Sequence, residues 1–331
     1  MWTDGPKAAS YPGRTTFSSG VLEIPNHTRP GMIIITQLLG GLGNQMFQYA
    51  AGRRLAYDHG LELKLDASIL LDHSTGRHHV NRNFDLDLFT IEPAFANPTE
   101  RWRYNAHGLP RPVRLLRRLL WPLSRRSACI EPSFRFQPDL CQRAEPPAYL
   151  AGLWQSWRYF HPIEEVIRRD FTFRQALPPQ SAALAEALRQ PGSVCLNVRR
   201  GDFVSVPDTA ACLGFVGVDY YRAATEFIRN RLGSRARYFV FSDDLDWCRR
   251  ELAWLGDEAT FVEHTHAGPK FGHYLHLMSL ANHFVIPNST FAWWAAWLSQ
   301  VPSKNVIAPQ KWFSDSKIDT DDLCPDSWIR L

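Results

Sequence analysis

Between residues 194 and 308, short apolar runs alternate with stretches of helical length, and this alternation restricts the chain to an α/β fold. Val194-Cys195-Leu196, Tyr238-Phe239-Val240-Phe241, residues 260–263, Phe284-Val285-Ile286 and Val306-Ile307-Ala308 read as strands. Helices are predicted over 219–233, where Asp219 is expected to cap, over 244–255, over 274–281 and over 290–299. Strands joined through helices come out parallel, and a parallel sheet needs cover on both faces. The first half opens with the same logic. A strand begins at Met32, runs through Ile33-Ile34-Ile35 and enters Leu39-Gly40-Gly41-Leu42-Gly43-Asn44-Gln45. Met46, Phe47, Ala50, Ala51 and Leu55 then recur at helical spacing, Gly60 punctuates the end, and residues 61–66 alternate as a strand.

A length of 331 residues can hold two cores. Two α/β domains are expected, over 32–180 and 190–331, with a boundary near 175–192, where Leu177-Pro178-Pro179 and Pro191-Gly192 flank an alanine-rich helix. Residues 1–31 are polar, without periodicity, and read as a disordered extension. With 45% apolar and 21% charged residues, no apolar run near the roughly 20 needed to cross a bilayer, and no signal-like start, the expected location is cytoplasmic. Cysteines at 129, 141, 195, 212, 248 and 324 form no CxxC pair, which argues against a disulfide framework or zinc site.

The net charge of +4 is unevenly spread. Residues 101–126 hold eight arginines and no acid, which leaves the remainder at −4. Val113, Leu115, Leu116, Leu119, Leu120 and Trp121 interleave with Arg114, Arg117 and Arg118, the pattern of a basic amphipathic helix. It suits either a solvated helix packed on its own domain or peripheral contact with an anionic membrane. Nucleic acid is not expected as a partner.

The chemistry concentrates after Val194-Cys195-Leu196, where Asn197-Val198-Arg199-Arg200-Gly201-Asp202 follows at the strand's carboxyl end. Ligands of open α/β sheets bind at such ends. Two guanidiniums there need core acids, Asp202 among them, or an anionic ligand such as a phosphate. Asn288-Ser289-Thr290 opens the apolar helix Phe291-Ala292-Trp293-Trp294-Ala295-Ala296-Trp297, and a helix start with small hydroxyl residues can cap itself or cradle phosphate. Taken with the arginine pair, it points to a diphosphate site. Ser242-Asp243-Asp244 ends another strand, where one acid can cap the next helix while the other meets a base edge or ribose.

Gly41-Leu42-Gly43-Asn44-Gln45-Met46 allows a dinucleotide reading, with Asp66 as the ribose-binding acid and an NAD- or FAD-dependent oxidoreductase as the product. Met46, however, stands where the third glycine of that fingerprint belongs. The other reading is a loop through which backbone and the Asn44 amide reach a ligand in an interdomain cleft. The acid pairs Asp85-Leu86-Asp87 and Asp244-Leu245-Asp246 resemble a metal-binding pattern. The first lies in a 84–89 run that reads as strand or turn, and His264, His266, His273 and His276 lack ligand spacing. No metal is expected. Twelve tryptophans raise a third reading, a non-catalytic glycan-binding protein, although most aromatics stand at core-like spacing.

Six ordered blocks together resemble glycosyltransferase family 11, the bacterial and animal α-1,2-fucosyltransferases. They are residues 40–51 (GGLGNQMFQYAA), 149–160 (YLAGLWQSWRYF), 197–203 (NVRRGDF), 241–244 (FSDD), 288–298 (NSTFAWWAAWL) and 308–313 (APQKWF), and the likeness runs over 32–313. The resemblance implies a GT-B-like fold, two Rossmann-like α/β domains with mostly parallel sheets across a cleft. The N-terminal domain would take the acceptor and the C-terminal one GDP-L-fucose, with inverting chemistry and no obligatory metal or cofactor. Arg199 would clamp the diphosphate with support from Arg200, Asn197 would contact the nucleotide, and Asp244 would lie at guanine. Asn288, Ser289 and Thr290 would serve the phosphates, and Gly43 and Asn44 would reach in from the N-terminal domain. Asp202 is the candidate base or its orienting group, against a plain salt bridge to Arg200. The expected acceptor is a galactose-terminated glycan of the O-antigen or capsule kind. A lipid-linked acceptor would place the enzyme at the inner membrane face. Two positions depart from the family pattern. Asn197 replaces the usual histidine, which excludes a histidine base there, and Tyr274 stands where an acid often precedes Leu277-Met278-Ser279.

Overall fold

The computed structural model describes residues 32–71, 82–104, 112, 115–116, 128–139, 145–201, 214–315 and 317–331. Strand β1 (Ile34–Gln37) is buried throughout and β-branched in its first three residues, as suits a central parallel strand. The chain turns at Gly40, whose φ of 79° suits glycine, into helix α1 (Leu42–His59). Gly60, at φ 63°, ends α1 by donating its N–H to the carbonyls of Ala56 and Tyr57. β2 (Leu63–Asp66), β3 (Ala94–Phe95), α2 (Pro98–Tyr104), β4 (Ala128–Ile130) and β5 (Ala148–Ala151) follow. These strands form one parallel sheet in the order β3-β2-β1-β5-β4.

After α3 (Glu164–Asp170) and α4 (Ala182–Arg189), the chain builds a second sheet from β6 (Ser193–Val198), β7 (Arg237–Ser242), β8 (Ala259–Phe261), β9 (His283–Val285), β10 (Val306–Ala308) and β11 (Ile329–Arg330). Helices α5 (Val218–Leu232), α6 (Leu245–Glu251), α7 (Gly272–Ser279) and α8 (Thr290–Leu298) are interleaved with them. The order is β11-β10-β9-β6-β7-β8, again all parallel. The expected GT-B-like architecture is thus present as two parallel-sheet α/β units.

Each sheet reverses direction of growth once, between β1 and β5 and between β6 and β9. Crevices open at the carboxyl ends of strands at such reversals. The β1 and β5 ends lead into residues 39–44 and 152–155, while the β6 and β9 ends lead into 199–201 and 286–290. The strand register, Leu196 opposite Val285, brings the last two segments out side by side.

The two units share one core. α8 carries apolar side chains on every face, the signature of a helix buried all round, and it packs between the sheets against α1. Phe47 of α1 lies 4.6 Å from Trp293 and 4.9 Å from Trp294 between ring centroids, and Phe160 stacks on Trp294 at 5.2 Å. A second core covers the other face of the second sheet, around Tyr221, Tyr238 and Leu252. Among the described tryptophans, Trp154, Trp293, Trp294 and Trp312 are fully buried and belong to the core, as their spacing suggested.

Several local expectations are corrected. α5 starts at Val218 after Gly217, and Asp219 sits in the first turn without capping it. α6 stops at Glu251, and a 3₁₀ stretch covers Ala253–Glu258, where Gly256 adopts a φ of 53°. Of the two readings of the 84–89 run, strand or turn, the turn holds: a 3₁₀ turn covers Leu86–Leu88, with Leu86 buried, Asp85 partly buried and Asp87 exposed. β11 was not anticipated from the sequence. Among the described cysteines, Cys129, Cys195, Cys248 and Cys324 are free and buried. No helix among the described residues is long and apolar enough to cross a membrane.

Candidate active site

The crevices of the two sheets merge into one cleft of about 490 Å³, within the range of small-molecule sites. On the second-sheet wall, Asn197 is held by its Nδ2, which donates to the Phe241 carbonyl at 3.0 Å across the β6–β7 pairing. Beyond Val198 the two arginines part. Arg199 faces the cleft, 31% exposed, with Nη1 2.8 Å from Asp243 Oδ2. The Asp243 carboxylate also accepts the N–H groups of Arg200 and Gly201, both at 2.9 Å. A side chain on Gly201 would place its Cβ 2.6 Å from Asp243 Oδ2, so the turn after the strand wraps tightly around this acid.

Arg200 turns away from the cleft. Its Nε reaches Asp244 Oδ2 at 3.1 Å, and its guanidinium covers the Trp247 ring at 4.4 Å and the Phe215 ring at 4.9 Å. Asp244, expected near guanine, does not line the cleft; it caps α6 by accepting the Trp247 N–H at 3.0 Å and pairs with Arg200. Burial pushes its carboxyl up, but the Trp247 N–H and Arg200 outweigh this and hold it below the ordinary range. The acid on the wall is Asp243.

α8 begins at the same wall. Asn288 donates to the Trp312 carbonyl at 3.0 Å, which ties down the segment after β9. Ser289 occupies the cap position in an extended conformation, with its hydroxyl making no bond to its own helix. Thr290 Oγ1 donates to Asn44 Oδ1 at 3.0 Å, and Gln155 Nε2 donates to the same oxygen at 3.0 Å. Asn44 therefore bridges α1, the segment after β5 and α8. Gly43 lines the cleft, as expected of the glycine loop, and has a packing role besides. A Cβ there would lie 2.5 Å from the Thr290 carbonyl carbon and 2.6 Å from the Phe291 nitrogen. The absence of a side chain here lets α8 approach, and Trp294 Nε1 seals the contact by donating to the Gly43 carbonyl at 2.9 Å.

This close approach brings two helix N-termini to one cleft. Neither α1 nor α8 has a side-chain cap or an acid in its first turn, so the positive ends of both dipoles face the opening unneutralised. With Arg199 beside them, the arrangement suits an anionic ligand.

The first-sheet wall carries groups that the sequence did not assign to the donor or acceptor. Buried Gln45 donates through Nε2 to the Gly40 and Asn83 carbonyls at 3.1 and 2.9 Å, and its Oε1 accepts the Asp85 N–H at 3.0 Å. Arg82, Asn83 and Asp85 are thereby held on the cleft. Lys270 and Phe271 close the wall from the other unit, with φ values of 52° and 58° that side chains seldom adopt. Lys270 Nζ grips Asp87 at 2.7 and 2.9 Å, and half-exposed Phe271 presents its ring. Tyr274 also lines the cleft and donates its hydroxyl to the Val262 carbonyl at 2.7 Å. Phe271 shows no periodic signal, whereas Gln155 lay inside a noted block without an assigned role.

Asp202 lies outside the described residues, as does most of 101–126. Among the described residues no cluster of His, Cys, Asp and Glu could hold a metal ion; Asp87 binds Lys270 and Asp246 pairs with Arg249. The dinucleotide reading fails on its acid. Asp66 is buried, accepts the Tyr149 hydroxyl at 2.6 Å and the Ser68 N–H at 3.0 Å, and does not face the cleft. Met46 is buried in the core where that fold wants glycine.

The family model for Glycosyl transferase family 11 matches residues 141–331. The chain belongs to glycosyltransferase family 11. The family match covers β5, the whole second sheet and α8, so it contains Arg199 and both strand ends that carry the second-sheet wall. An α-1,2-colitosyltransferase of Escherichia coli is 30% identical over 307 residues, 90% of this chain and 99% of that protein. The O-antigen biosynthesis glycosyltransferase WbnK of Escherichia coli is 28% identical, over 89% of this chain and 99% of its own length. Galactoside α-(1,2)-fucosyltransferase 2 of Oryctolagus cuniculus is 26% identical, over 88% of this chain and 74% of its own. As a member of the family, the protein is a glycosyltransferase.

Proposed function

We propose that this glycosyltransferase moves L-fucose from GDP-β-L-fucose to the 2-hydroxyl of a galactose in a glycan, with inversion at the anomeric carbon. The observation that supports it most is the convergence of Arg199 with two uncapped helix N-termini. As the sugar leaves, negative charge grows on the GDP diphosphate, and fixed donors aimed at that charge lower the barrier without needing a metal ion. Arg199 clamps the diphosphate, while the Ser289 hydroxyl and the first N–H groups of α8 complete the cradle. The Thr290 hydroxyl is engaged by Asn44, so Thr290 serves through its backbone. Arg200, wedged between Trp247 and Asp244, keeps the turn rigid, and Asn197 lies where a nucleoside would pass.

The α-1,2 linkage and galactoside acceptor follow the names of the relatives, and the O-antigen relative favours a bacterial surface glycan. We extend the reading to a lipid-linked acceptor met at the inner membrane face, with residues 101–126 as the basic contact. Preference for anionic over neutral liposomes tests that extension; equal binding removes it.

The main test incubates the protein with GDP-fucose and a panel of galactosides, with mass detection of products. The expected result is one added deoxyhexose on a terminal galactose, sited at O2 by fragmentation. GDP should also raise the melting temperature while NADH does not. Absence of transfer across the panel together with indifference to GDP overturns the proposal.

A further inference from the structure

An inverting transfer needs a proton acceptor on the face of the sugar opposite the leaving group. Among the described residues lining the cleft, the carboxylates are Asp85 and Asp243, and no histidine lines it. Asp243 is occupied by Arg199 and by two backbone N–H groups, and it stands on the same wall as the diphosphate cradle. Asp85 stands on the other wall. Its backbone is fixed by Gln45, itself one residue from the Asn44 bridge, so its position is set by the same packing that joins the two units.

We propose that Asp85 is the catalytic base that takes the proton from the acceptor's 2-hydroxyl. This rests on the transfer reading above. In the step, the acceptor O2–H bond breaks and the proton passes to the Asp85 carboxylate. The freed electron pair forms the O2–C1 bond to fucose. The C1–O bond to the β-phosphate breaks, and its pair departs with GDP, where Arg199 and the helix starts receive the charge.

The surroundings fit a carboxylate poised for this work. Asp85 faces Lys270 from the α7 side at 3.8 Å, with Asp87 on its own turn and Arg82 just before it. Lys270 is bound closely to Asp87 and only loosely to Asp85, and no hydrogen bond to the Asp85 side-chain oxygens is made among the described residues. Burial raises the carboxyl above its ordinary range, against the pull of Lys270 and Arg82 and with the push of Asp87. A base is more effective as its affinity for protons nears the working pH.

The test compares wild type, Asp85→Asn and Asp87→Asn with GDP-fucose and a galactoside that the wild type uses. Asp85→Asn should lose about 10²–10³-fold in kcat while keeping its thermal stabilisation by GDP, and its rate should lose the acid limb of the pH profile. Asp87→Asn removes a negative neighbour and frees Lys270 towards Asp85, so its acid limb should move to lower pH. Wild-type transfer with Asp85→Asn retaining a tenth or more of kcat overturns the role of Asp85 and leaves the transfer reading intact. An unmoved acid limb in Asp87→Asn overturns it too, even if Asp85→Asn does not fold. No wild-type transfer overturns both.

Discussion

The two walls of the cleft are built on different principles. The second-sheet wall is assembled from consecutive residues at two neighbouring strand ends, where Arg199 and Ser289 emerge because β6 and β9 pair in register. The first-sheet wall is assembled from distant pieces, and Asp85 is in place because Gln45 holds its loop. The former is a local motif placed by a sheet; the latter exists only once two units pack. Arg199 can therefore be replaced without disturbing the shared core, whereas the packing that sets the position of the opposite wall should fail together with that core.

The strongest way to break this contrast is at the shared core. Trp294→Ala removes a fully buried ring touching Phe47, Phe160 and Phe171, and should lower stability by about 3–5 kcal/mol in denaturant titrations. One cooperative transition is expected. Two separated transitions would mean that the units do not share a core.

Next in size is the arginine pair. Arg199→Ala should reduce turnover about 10²–10³-fold with little change in denaturation midpoint. Arg200→Ala should instead lower stability by about 1–2 kcal/mol through loss of its contact with Trp247. Equal effects of the two on both readouts would erase the distinction between them.

Gly43→Ala pushes a methyl against the backbone of α8 and should destabilise by about 1–3 kcal/mol, with activity falling in step. Full stability with selective loss of GDP binding would assign this glycine to the ligand rather than to packing.

The smallest effect concerns His276, stacked on Phe173 at 4.2 Å and pushed down to about 4 by burial, with Arg189 and His273 adding to it. The unfolded chain binds its proton more readily, so this residue's stability contribution is complete above about 6.5 and is lost as pH falls towards 4. Melting temperatures across that window should fall less steeply in His276→Phe.

How much of this was readable varied with distance along the chain. Arg199 was legible because a charged pair at the end of a buried strand has few uses. Which of the two arginines faces the cleft was not, since that depends on Asp243 and Asp244, more than forty residues away, each pairing with the guanidinium of one. α8 was recognisable as buried from its apolar circumference, but its partner on the far side was not. Asp85 drew notice only as half of a metal-like acid pair; its place on the cleft comes from Gln45 and Lys270. Asp244 looked like a ligand contact, and the local demand for a helix cap took it instead.

From composition, period and motif alone came the alternation of strand and helix, the parallel sheets and the membership of the family, because these are properties of neighbours in the chain. Tertiary structure decided which side chains meet. The hydrogen bond from Thr290 to Asn44 joins residues 246 positions apart, and no local rule of spacing reaches that far. The direction of a side chain beyond a strand's end is set by whichever partner arrives there, and that partner is known only after the chain has folded.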